Sequence, residues 1–553
     1  MLTALLGALL VAAPSSALAG AQHGMVAAEH RLAAEAGLQI LRRGGNAVDA
    51  AAATALATGV VNPTSCGIGG GGFMLIFKRA TQRVAALDYR ERAPAAARRD
   101  LFVRDGKAVP ELSLRGGLAV AVPGEIAGLF AALERYGSRS FAEIAAPAIA
   151  YARDGFAVEA HLAEAIAGHA EAIRQWPELA RILLHPDGRP LAVGDTLRQP
   201  ELAATLEAIA ARGPAEFYEG PIANAIVASV TAAGGIMTER DLREYRSVWR
   251  RPLVTDFDGY DFYGMPPPSS GGGVMITVLN QLRRDDLRAL EHNSPTYLHL
   301  LAEALQFGFA DRARFYGDPD AVDIPLAALL ARSRGQRLRQ RISAARTFPP
   351  EWYAPPTAAP ADAGTAHLSV VDGTGNAVAC TTSINTSFGS MVVAKGTGVI
   401  LNNTMDDFAA QPAVPNVYGL VGSEANAVGP GKRPLSSMTP TIVTRHGQVR
   451  AVAGGSGGPL IITATLQALL NALVFGRDAA AAVEAPRLHH QWLPHALMLE
   501  DGIDRGTRAA LARLGHELAA ARAAAAVQVV LRAPDGGLDG AADMRKGGQA
   551  LGW

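Results

Sequence analysis

The chain contains 553 residues, with 51 basic and 51 acidic side chains. This length allows a large buried core, and the balanced charge gives no sign of a nucleic-acid-binding or membrane-surface protein. The two cysteines, Cys66 and Cys380, are too few for a disulfide framework, and their spacing matches no metal site. They could pair in an oxidising compartment, but we expect two buried thiols.

The N-terminus has the pattern of an export signal. Residues 2–13 are apolar apart from Thr3, and Ala17-Leu18-Ala19 supplies a small-x-small cleavage site. The apolar run is shorter than a membrane span needs. We therefore predict a secretory signal peptide over residues 1–19 and a periplasmic or extracellular product. An uncleaved N-terminal anchor is the alternative.

The first part of the mature chain predicts helices followed by a pair of strands. Residues 25–60 are rich in alanine and favour helix, with a break at Gly44-Gly45-Asn46. A glycine cluster, Gly67 to Gly72, leads into predicted strands at 73–78 and 83–89. The cluster matches the dinucleotide fingerprint G-x-G-x-x-G, but a strand follows it where a helix should. We interpret it as a turn or a close backbone contact.

The remainder of the chain changes character at residue 365. Residues 123–282 favour helix, and residues 346–364 are rich in Pro and Ala, which predicts an exposed, mobile linker. Beyond the linker, strands are predicted at 368–371, 377–384, 392–401, 441–444 and 449–453, followed by a helix at 459–475. Two sets of strands with helices between and after them predict an α/β protein, a four-layer αββα sandwich.

The dipeptide Gly364-Thr365 lies between the linker and the first of these later strands. If this bond is cut, Thr365 gains a free α-amine beside its own hydroxyl, so that one residue supplies both a nucleophile and its general base. The plainer interpretation is a β-branched residue that begins a half-buried strand.

A second glycine-rich segment, Gly454 to Gly458, is predicted at a strand-to-helix junction. Backbone N–H groups are free at such a junction and can stabilise a developing negative charge. The same residues spell G-x-S-x-G, the nucleophile elbow of serine hydrolases. An alternative hypothesis is therefore a serine hydrolase that uses Ser456 with Asp501 or Asp504 and His516.

Three further segments contain groups suited to a charged substrate. Arg90 follows a predicted strand and could bind a carboxylate through two parallel hydrogen bonds, although an ion pair with Asp88 or Glu91 is the plainer interpretation. The hydroxyls of Ser436-Ser437 and the carboxylates of Asp406-Asp407 lie in predicted loops. The pair His489-His490 has no acid or thiolate at a metal-ligand spacing, and we interpret it as structural.

Taken in order, these segments resemble the gamma-glutamyltranspeptidase family of N-terminal-nucleophile hydrolases. The resemblance covers almost the whole mature chain and rests on His23 to Ala27, Gly44 to Ala50, Gly69 to Met74, the Arg90 segment, Met265 to Gly272, Thr365 to Asp372, Met405 to Phe408, Pro415 to Leu420, Pro434 to Met438, and Gly457-Gly458. Several such strings in the family's order are far more specific than any one of them.

Position by position, the resemblance implies a catalytic role for four residues. Thr365 would cut the chain after Gly364 and then act as the catalytic nucleophile. Ser383, where the family commonly has threonine, would hydrogen-bond the nucleophile. Gly457 and Gly458 would form the oxyanion hole.

The resemblance also implies a binding site for a γ-glutamyl donor. Its α-carboxylate would be held by Arg90, Ser436 and Ser437. Its α-ammonium group would be held by Asn385 and Asp407.

Two further positions concern the same binding site. Tyr418 would be the gate residue of a lid over residues 412–423. Thr404 stands where the family usually has glutamine or glutamate, so we expect it to add little to ammonium binding.

The resemblance implies one active unit built from two chains of the same precursor. Residues 20–364 would form the large subunit, ending in the linker, and residues 365–553 the small subunit. Together they would pass a γ-glutamyl group from glutathione or a similar donor to water, amino acids or short peptides. No metal, other cofactor or nucleic acid is implied. A related acylase with another acyl donor and an inactive binding protein of the same fold are the alternatives.

Overall fold

Two seven-stranded sheets form the centre of the structure, a computed structural model that describes residues 17–354, 364–411, 422–520 and 525–553. Sheet I consists, in spatial order, of Gln549–Gly552, Gly24–Ala28, Ala366–Asp372, Ala377–Ser383, Gly71–Lys78, Arg83–Tyr89 and Val248–Arg250. Sheet II consists of Ala17–Ala21, Leu538–Ala542, Ala526–Arg532, Gln448–Ser456, Thr441–Arg445, Tyr260–Gly264 and Leu253–Phe257. All neighbouring strands within the two sheets are antiparallel.

The two sheets pack against each other through an apolar layer. Phe73, Leu75 and Phe77 of sheet I share one buried cluster with residues of sheet II such as Ile442 and Val452. The alternate residues of the same sheet I strand, Met74 and Ile76, belong to a different cluster that faces helices. This strand is therefore apolar on both faces, because side chains alternate along a strand and both of its faces are covered.

Helices cover the outer face of each sheet. On the side of sheet I the chain forms Arg31–Arg42, Ala47–Val61, Glu111–Leu114, Glu125–Tyr136, Phe141–Asp154, Ala160–Arg174, Pro177–Leu183, Pro200–Arg212, Ala215–Tyr218, Pro221–Ala232 and Glu239–Arg243. The later helices are Gly271–Leu282, Pro295–Phe315, Leu326–Leu329, Arg332–Arg341, Leu460–Leu473, Ala479–Glu484 and Arg505–Arg513. The order of layers is helix, sheet, sheet, helix, as the sequence predicted.

Minor elements complete the structure. They are the short strands Val103–Arg104, Lys107–Ala108, Phe156–Ala157, Thr196–Leu197, Val393–Ala394, Val399–Ile400, Leu488–His489, Leu497–Leu499 and Leu518–Ala520, and the 3₁₀ turns Gly117–Ala119, Pro350–Trp352, Thr404–Asp407, Glu424–Asn426 and Met544–Lys546.

Three predicted elements were wrong in type or extent. The strand Gly24–Ala28 lies in the predicted helix, because hydrogen bonds from strands on both sides outweigh the helix preference of Met and Ala. Residues 248–264, predicted within a mostly helical region, form three strands: Val248–Arg250 and Leu253–Phe257 at sheet edges, and Tyr260–Gly264 next to an edge. The predicted strand 392–401 is a two-stranded hairpin with a turn at Lys395 to Gly398.

The predicted linker is packed in its first part. The Tyr353 side chain is buried, and its hydroxyl donates to the Glu303 carboxylate at 2.7 Å. Thr347 donates to the same carboxylate at 2.6 Å, so the chain up to residue 354 is fixed to the long helix Pro295–Phe315. Residues 355–363 lie outside the described part.

At the N-terminus, the described chain begins with an edge strand. Ala17–Ala21 pairs with Leu538–Ala542, so the last residues of the predicted signal peptide lie in sheet II. Within the described ranges, no helix has the length and apolar character of a membrane span. Cys66 and Cys380 are both buried free thiols, in agreement with the sequence-based expectation.

Both sheets combine strands from either side of the Gly364–Thr365 bond. Sheet I takes four strands from before this bond and three from after it, and sheet II takes three from before and four from after. Since strands of the two parts pair with each other within both sheets, neither part forms a complete sheet without the other.

We therefore expect a chain cut after Gly364 to remain one folded particle. Under denaturing electrophoresis it should give two bands, whereas size-exclusion chromatography in native buffer should give one peak that contains both pieces. Thr365→Ala is the control and should run as a single uncut band. Separation of the two pieces in native buffer would contradict this prediction.

Candidate active site

Thr365 lies at the start of a central strand of sheet I, directly opposite Ser383. The register that pairs Ala366 with Thr382 places residues 365 and 383 next to each other. The two hydroxyl oxygens are 3.4 Å apart. Both hydroxyls reach the Gly364 carbonyl oxygen, Thr365 at 2.5 Å and Ser383 at 3.0 Å. The sheet therefore places a potential nucleophile, the Thr365 hydroxyl, and a hydrogen-bond donor, the Ser383 hydroxyl, at the Gly364–Thr365 peptide bond.

A tight loop fixes the orientation of the Ser383 hydroxyl. The Asn385 N–H donates to the Ser383 oxygen at 2.8 Å, which leaves the serine proton for the Gly364 carbonyl. The Gly364 N–H donates in turn to the Asn385 carbonyl at 3.0 Å. Asn385 has a φ of +79°, in a left-handed region that asparagine tolerates better than most residues. The Gly364–Thr365 peptide is thus polarised by Ser383 and held at both ends.

The glycine turn lies at the end of strand Gln448–Ser456, as the sequence predicted. Gly457 and Gly458 have φ values of +126° and +55°, which other residues rarely adopt. Among the described residues, neither of their N–H groups donates a hydrogen bond. Gly458 lines the same cavity as Thr365. These two donors are available for an oxyanion.

The residues required for a serine hydrolase do not meet. The Ser456 hydroxyl accepts a hydrogen bond from Lys546 at 2.9 Å. His516 is paired with His299 of the long helix at 2.7 Å, and Asp504 caps the helix Arg505–Arg513. The G-x-S-x-G match is therefore explained by the turn geometry.

Arg90 and Asp407 form an ion pair in the cavity that Thr365 lines. Arg90 is almost fully buried, donates through Nε to the Pro434 carbonyl at 3.2 Å, and lies 3.4 Å from the Glu91 carboxylate. Burial raises the pKa of the Asp407 carboxyl, and the Arg90 cation opposes that effect. A cation and an anion are thus held side by side, with the arginine fixed from behind.

Ser436 and Ser437 line the same cavity, beside an arginine that the sequence reasoning missed. Arg312 donates to the Ser270 hydroxyl at 3.0 Å and to the Ser437 hydroxyl at 3.4 Å. Burial lowers its pKa to about 10, so the guanidinium stays charged at neutral pH. An arginine within the apolar helix Pro295–Phe315 was the available signal, because a buried charge needs a specific reason.

One small cavity brings these residues together. Its lining residues are Arg90, Arg312, Thr365, Ser383, Asn385, Asp407, Leu435, Ser436, Ser437, Met438, Gly458 and Ile461. Two arginines and one aspartate give it a net positive lining, which favours an anionic group in the substrate. Eight of the ten catalytic and substrate-binding residues predicted for the described chain therefore lie around one space.

The other predicted residues lie behind or outside this space. Thr404 is fully buried and does not line the cavity, and its hydroxyl donates to the Glu91 carboxylate at 2.7 Å. Gly457 adjoins the cavity through Gly458, and Gly364 precedes Thr365 in the chain. Tyr418 and most of the predicted lid, residues 412–421, lie outside the described part.

One histidine cluster brings potential metal ligands together. His299, Glu303 and His516 approach closely enough to hold an ion. Each already has protein partners, since the two imidazoles bond to each other and Glu303 accepts from Thr347 and Tyr353. We assign no metal to this cluster. His489 and His490 are likewise hydrogen-bonded within the core.

Comparison with known proteins gives matches over nearly the whole chain. The family model described as Gamma-glutamyltranspeptidase matches residues 33–553. A glutathione hydrolase proenzyme of Escherichia coli is 43% identical over 527 residues, which cover 95% of this chain and 91% of that protein.

Two solved structures are also similar. A cephalosporin acylase from Bacillus halodurans has a TM-score of 0.87 and 29% identity, covering 100% of this chain and 99% of that one. A Helicobacter pylori gamma-glutamyltranspeptidase has a TM-score of 0.57 and 36% identity, covering 58% of this chain and 92% of that one.

The family match includes the Gly364–Thr365 bond and every residue that lines the cavity. It also includes all strands of the two sheets except Ala17–Ala21 and Gly24–Ala28. The chain belongs to the gamma-glutamyltranspeptidase family.

Proposed function

We propose that this protein is a self-processing gamma-glutamyltransferase and glutathione hydrolase of the N-terminal-nucleophile type. The observation that supports this function most strongly is the contact of the Thr365 and Ser383 hydroxyls with the Gly364 carbonyl, beside the Arg90–Asp407 pair. Family membership and the glutathione hydrolase relatives support the same reaction. The protein would be exported, with residues 1–19 removed as a signal peptide.

Self-processing would begin at the bond that the two hydroxyls contact. The Thr365 oxygen adds to the Gly364 carbonyl carbon, and the hydrogen bond from Ser383 stabilises charge on the carbonyl oxygen. The C–N bond then breaks, and the hydroxyl proton passes to the new amine. Water opens the resulting ester, leaving a carboxylate on Gly364 and both a hydroxyl and an amine on Thr365. The products are a large subunit, residues 20–364, and a small subunit, residues 365–553.

Transfer of the γ-glutamyl group would use the same threonine. The free α-amine takes the hydroxyl proton as the oxygen attacks the γ-glutamyl amide, and the proton then goes to the leaving amine. The N–H groups of Gly457 and Gly458 stabilise the oxyanion. Water, an amino acid or a short peptide then takes the acyl group from Thr365.

The Arg90–Asp407 pair supports an α-amino acid as the recognised head group of the donor. A guanidinium and a carboxylate held side by side offer each charge of a zwitterion an opposite partner. Ser436 and Ser437 add hydroxyls for the α-carboxylate, with Arg312 behind Ser437. Asn385 would assist at the ammonium group. An acylase with another donor is the second candidate, favoured only by the similarity to the cephalosporin acylase.

Release of glutamate from glutathione tests the proposal directly. The purified two-chain protein should form glutamate and cysteinylglycine, and glycylglycine should divert part of the acyl group into a new peptide. Thr365→Ala should abolish both reactions. Ser456→Ala should keep measurable activity, and complete loss in that variant with normal folding would favour the serine hydrolase.

We predict that Arg90→Ala or Asp407→Ala lowers kcat/KM for γ-glutamyl anilides by about a hundredfold. Each change removes charge-assisted hydrogen bonds worth about 1.5–3 kcal/mol apiece. Cleavage at Gly364–Thr365 should survive, which denaturing electrophoresis will show. Arg90→Lys is the matched control: it keeps the charge but loses the planar pair of donors, so its activity should be intermediate. Wild-type kcat/KM in Arg90→Ala would contradict this use of the pocket.

Thr404 should act on donor binding only through Glu91. Thr404→Val keeps the side-chain shape but removes the hydroxyl that donates a hydrogen bond to Glu91. The loss of that hydrogen bond should cost about 1 kcal/mol. Because Glu91 contacts Arg90, we expect KM for the donor to rise about fivefold with little change in kcat. Thr404→Ser keeps the hydroxyl and should resemble the wild type. A large fall in kcat for Thr404→Val would show a different role.

A further inference from the structure

Lys546 lies directly behind the proposed nucleophile. It ends the short 3₁₀ turn Met544–Lys546, and its side chain is only 11% exposed. Its ammonium group is 3.4 Å from the Thr365 main-chain oxygen and 2.9 Å from the Ser456 hydroxyl. The Lys546 cation thus connects Thr365, the proposed nucleophile, with Ser456, the residue before the turn Gly457-Gly458.

A buried acid faces the same ammonium group. Glu29 follows the strand Gly24–Ala28, and one of its oxygens lies 4.0 Å from the Lys546 nitrogen. The other oxygen accepts a hydrogen bond from the His367 N–H at 3.2 Å. Burial raises the pKa of Glu29, and the Lys546 charge opposes that effect. The Lys546 cation next to Thr365 is therefore partly compensated by the Glu29 carboxylate.

We propose that Lys546 is a positioning residue that holds the main chain of Thr365 and keeps its new α-amine in the neutral, proton-accepting form. This inference rests on the proposed function, because the amine exists only after cleavage. Within one residue, bond lengths place the backbone nitrogen no more than about 3.6 Å from the carbonyl oxygen. The ammonium group is therefore at most about 7 Å from the amine that must act as the base.

The physical reason is the repulsion between two cations. A free α-amine has an ordinary pKa of about 7.7–8.0, so most of it is protonated and inactive as a base at pH 7. A positive charge close by disfavours the protonated form and lowers that pKa. Glu29 acts in the opposite direction. The two side chains should thus shift the base in opposite senses when each is neutralised.

Other titratable groups surround this site, but none of them is changed in the variants tested below. They should therefore not produce opposite pKa shifts in Lys546→Met and Glu29→Gln. Asp543 is paired with Arg487 and Arg545, and Arg90 is paired with Asp407. Burial lowers the pKa of His367 to about 3 and that of His161 to about 4. Burial raises the pKa of Cys66, and it raises the pKa of Glu125 to about 8. Glu125 titrates in the same range and accepts from Thr382. Glu125 is present in every variant below, so its contribution to the pH profile is common to the variants and the wild type.

The test is the pH profile of kcat/KM for a γ-glutamyl anilide, measured on fully cleaved enzyme. In Lys546→Met the acid limb should move to higher pH by about 0.5–1 unit, because the amine loses its cationic neighbour. In Glu29→Gln the limb should move to lower pH. Lys546→Arg should restore the wild-type limb. Lys395→Met, a change at an exposed lysine of the Val393–Ile400 hairpin, is the matched control and should leave the profile unaltered.

Each other outcome overturns the inference. An unmoved acid limb in Lys546→Met, or shifts of the same sign in Lys546→Met and Glu29→Gln, would show that Lys546 has only a structural role. If Lys546→Met does not fold or cleave itself, Lys546→Gln takes its place, and an acid limb that stays or moves to lower pH in that variant rejects the proposal. A wild-type protein that releases no glutamate from glutathione would instead reject the proposed function.

Discussion

The antiparallel pairing of strands Ala366–Asp372 and Ala377–Ser383 is the constraint on which the rest of the site depends. Its register places Ser383 opposite Thr365, and the loop that follows brings the Asn385 N–H and carbonyl back to Ser383 and Gly364. A one-residue slip of either strand would turn its hydroxyl to the other face of the sheet, away from the hydroxyl of its partner. Because this pair of strands lies in the interior of sheet I, the packing of both layers resists such a slip.

Charge in the core is the second organising feature. Arg90 is held by the Asp407 and Glu91 carboxylates and the Pro434 carbonyl, and Glu91 is held by the Thr404 hydroxyl. A buried ion pair costs desolvation and stabilises a fold only weakly, so its value lies in holding groups in one geometry. Here that geometry presents two opposite charges to the cavity beside Thr365. Lys546 and Glu29 repeat the arrangement on the far side of the same threonine.

Much of the fold was predictable because its signals are local. The glycines at 457–458, the capped alanine-rich helix Ala47–Val61 and the strand Gly71–Lys78 follow from turn chemistry and periodicity within each segment. The strand Gly24–Ala28 was missed because its partners, Ala366–Asp372 and Gln549–Gly552, are hundreds of residues away. Its own five residues have no strong strand preference. The strands at 248–264 were missed because they lie at or next to sheet edges and between helices in the sequence.

The sequence by itself determined the chemistry of the residues around the scissile bond. A threonine after a glycine, a glycine-rich strand-to-helix turn and an arginine after a strand are local patterns, and their order along the chain identified the family. Only the tertiary structure decided which groups support them. Arg312 beside Ser437, Thr404 beneath Glu91, and Lys546 behind Thr365 join residues far apart in the chain. Such contacts depend on how two sheets and their helices pack, and no pattern within a single segment records that packing.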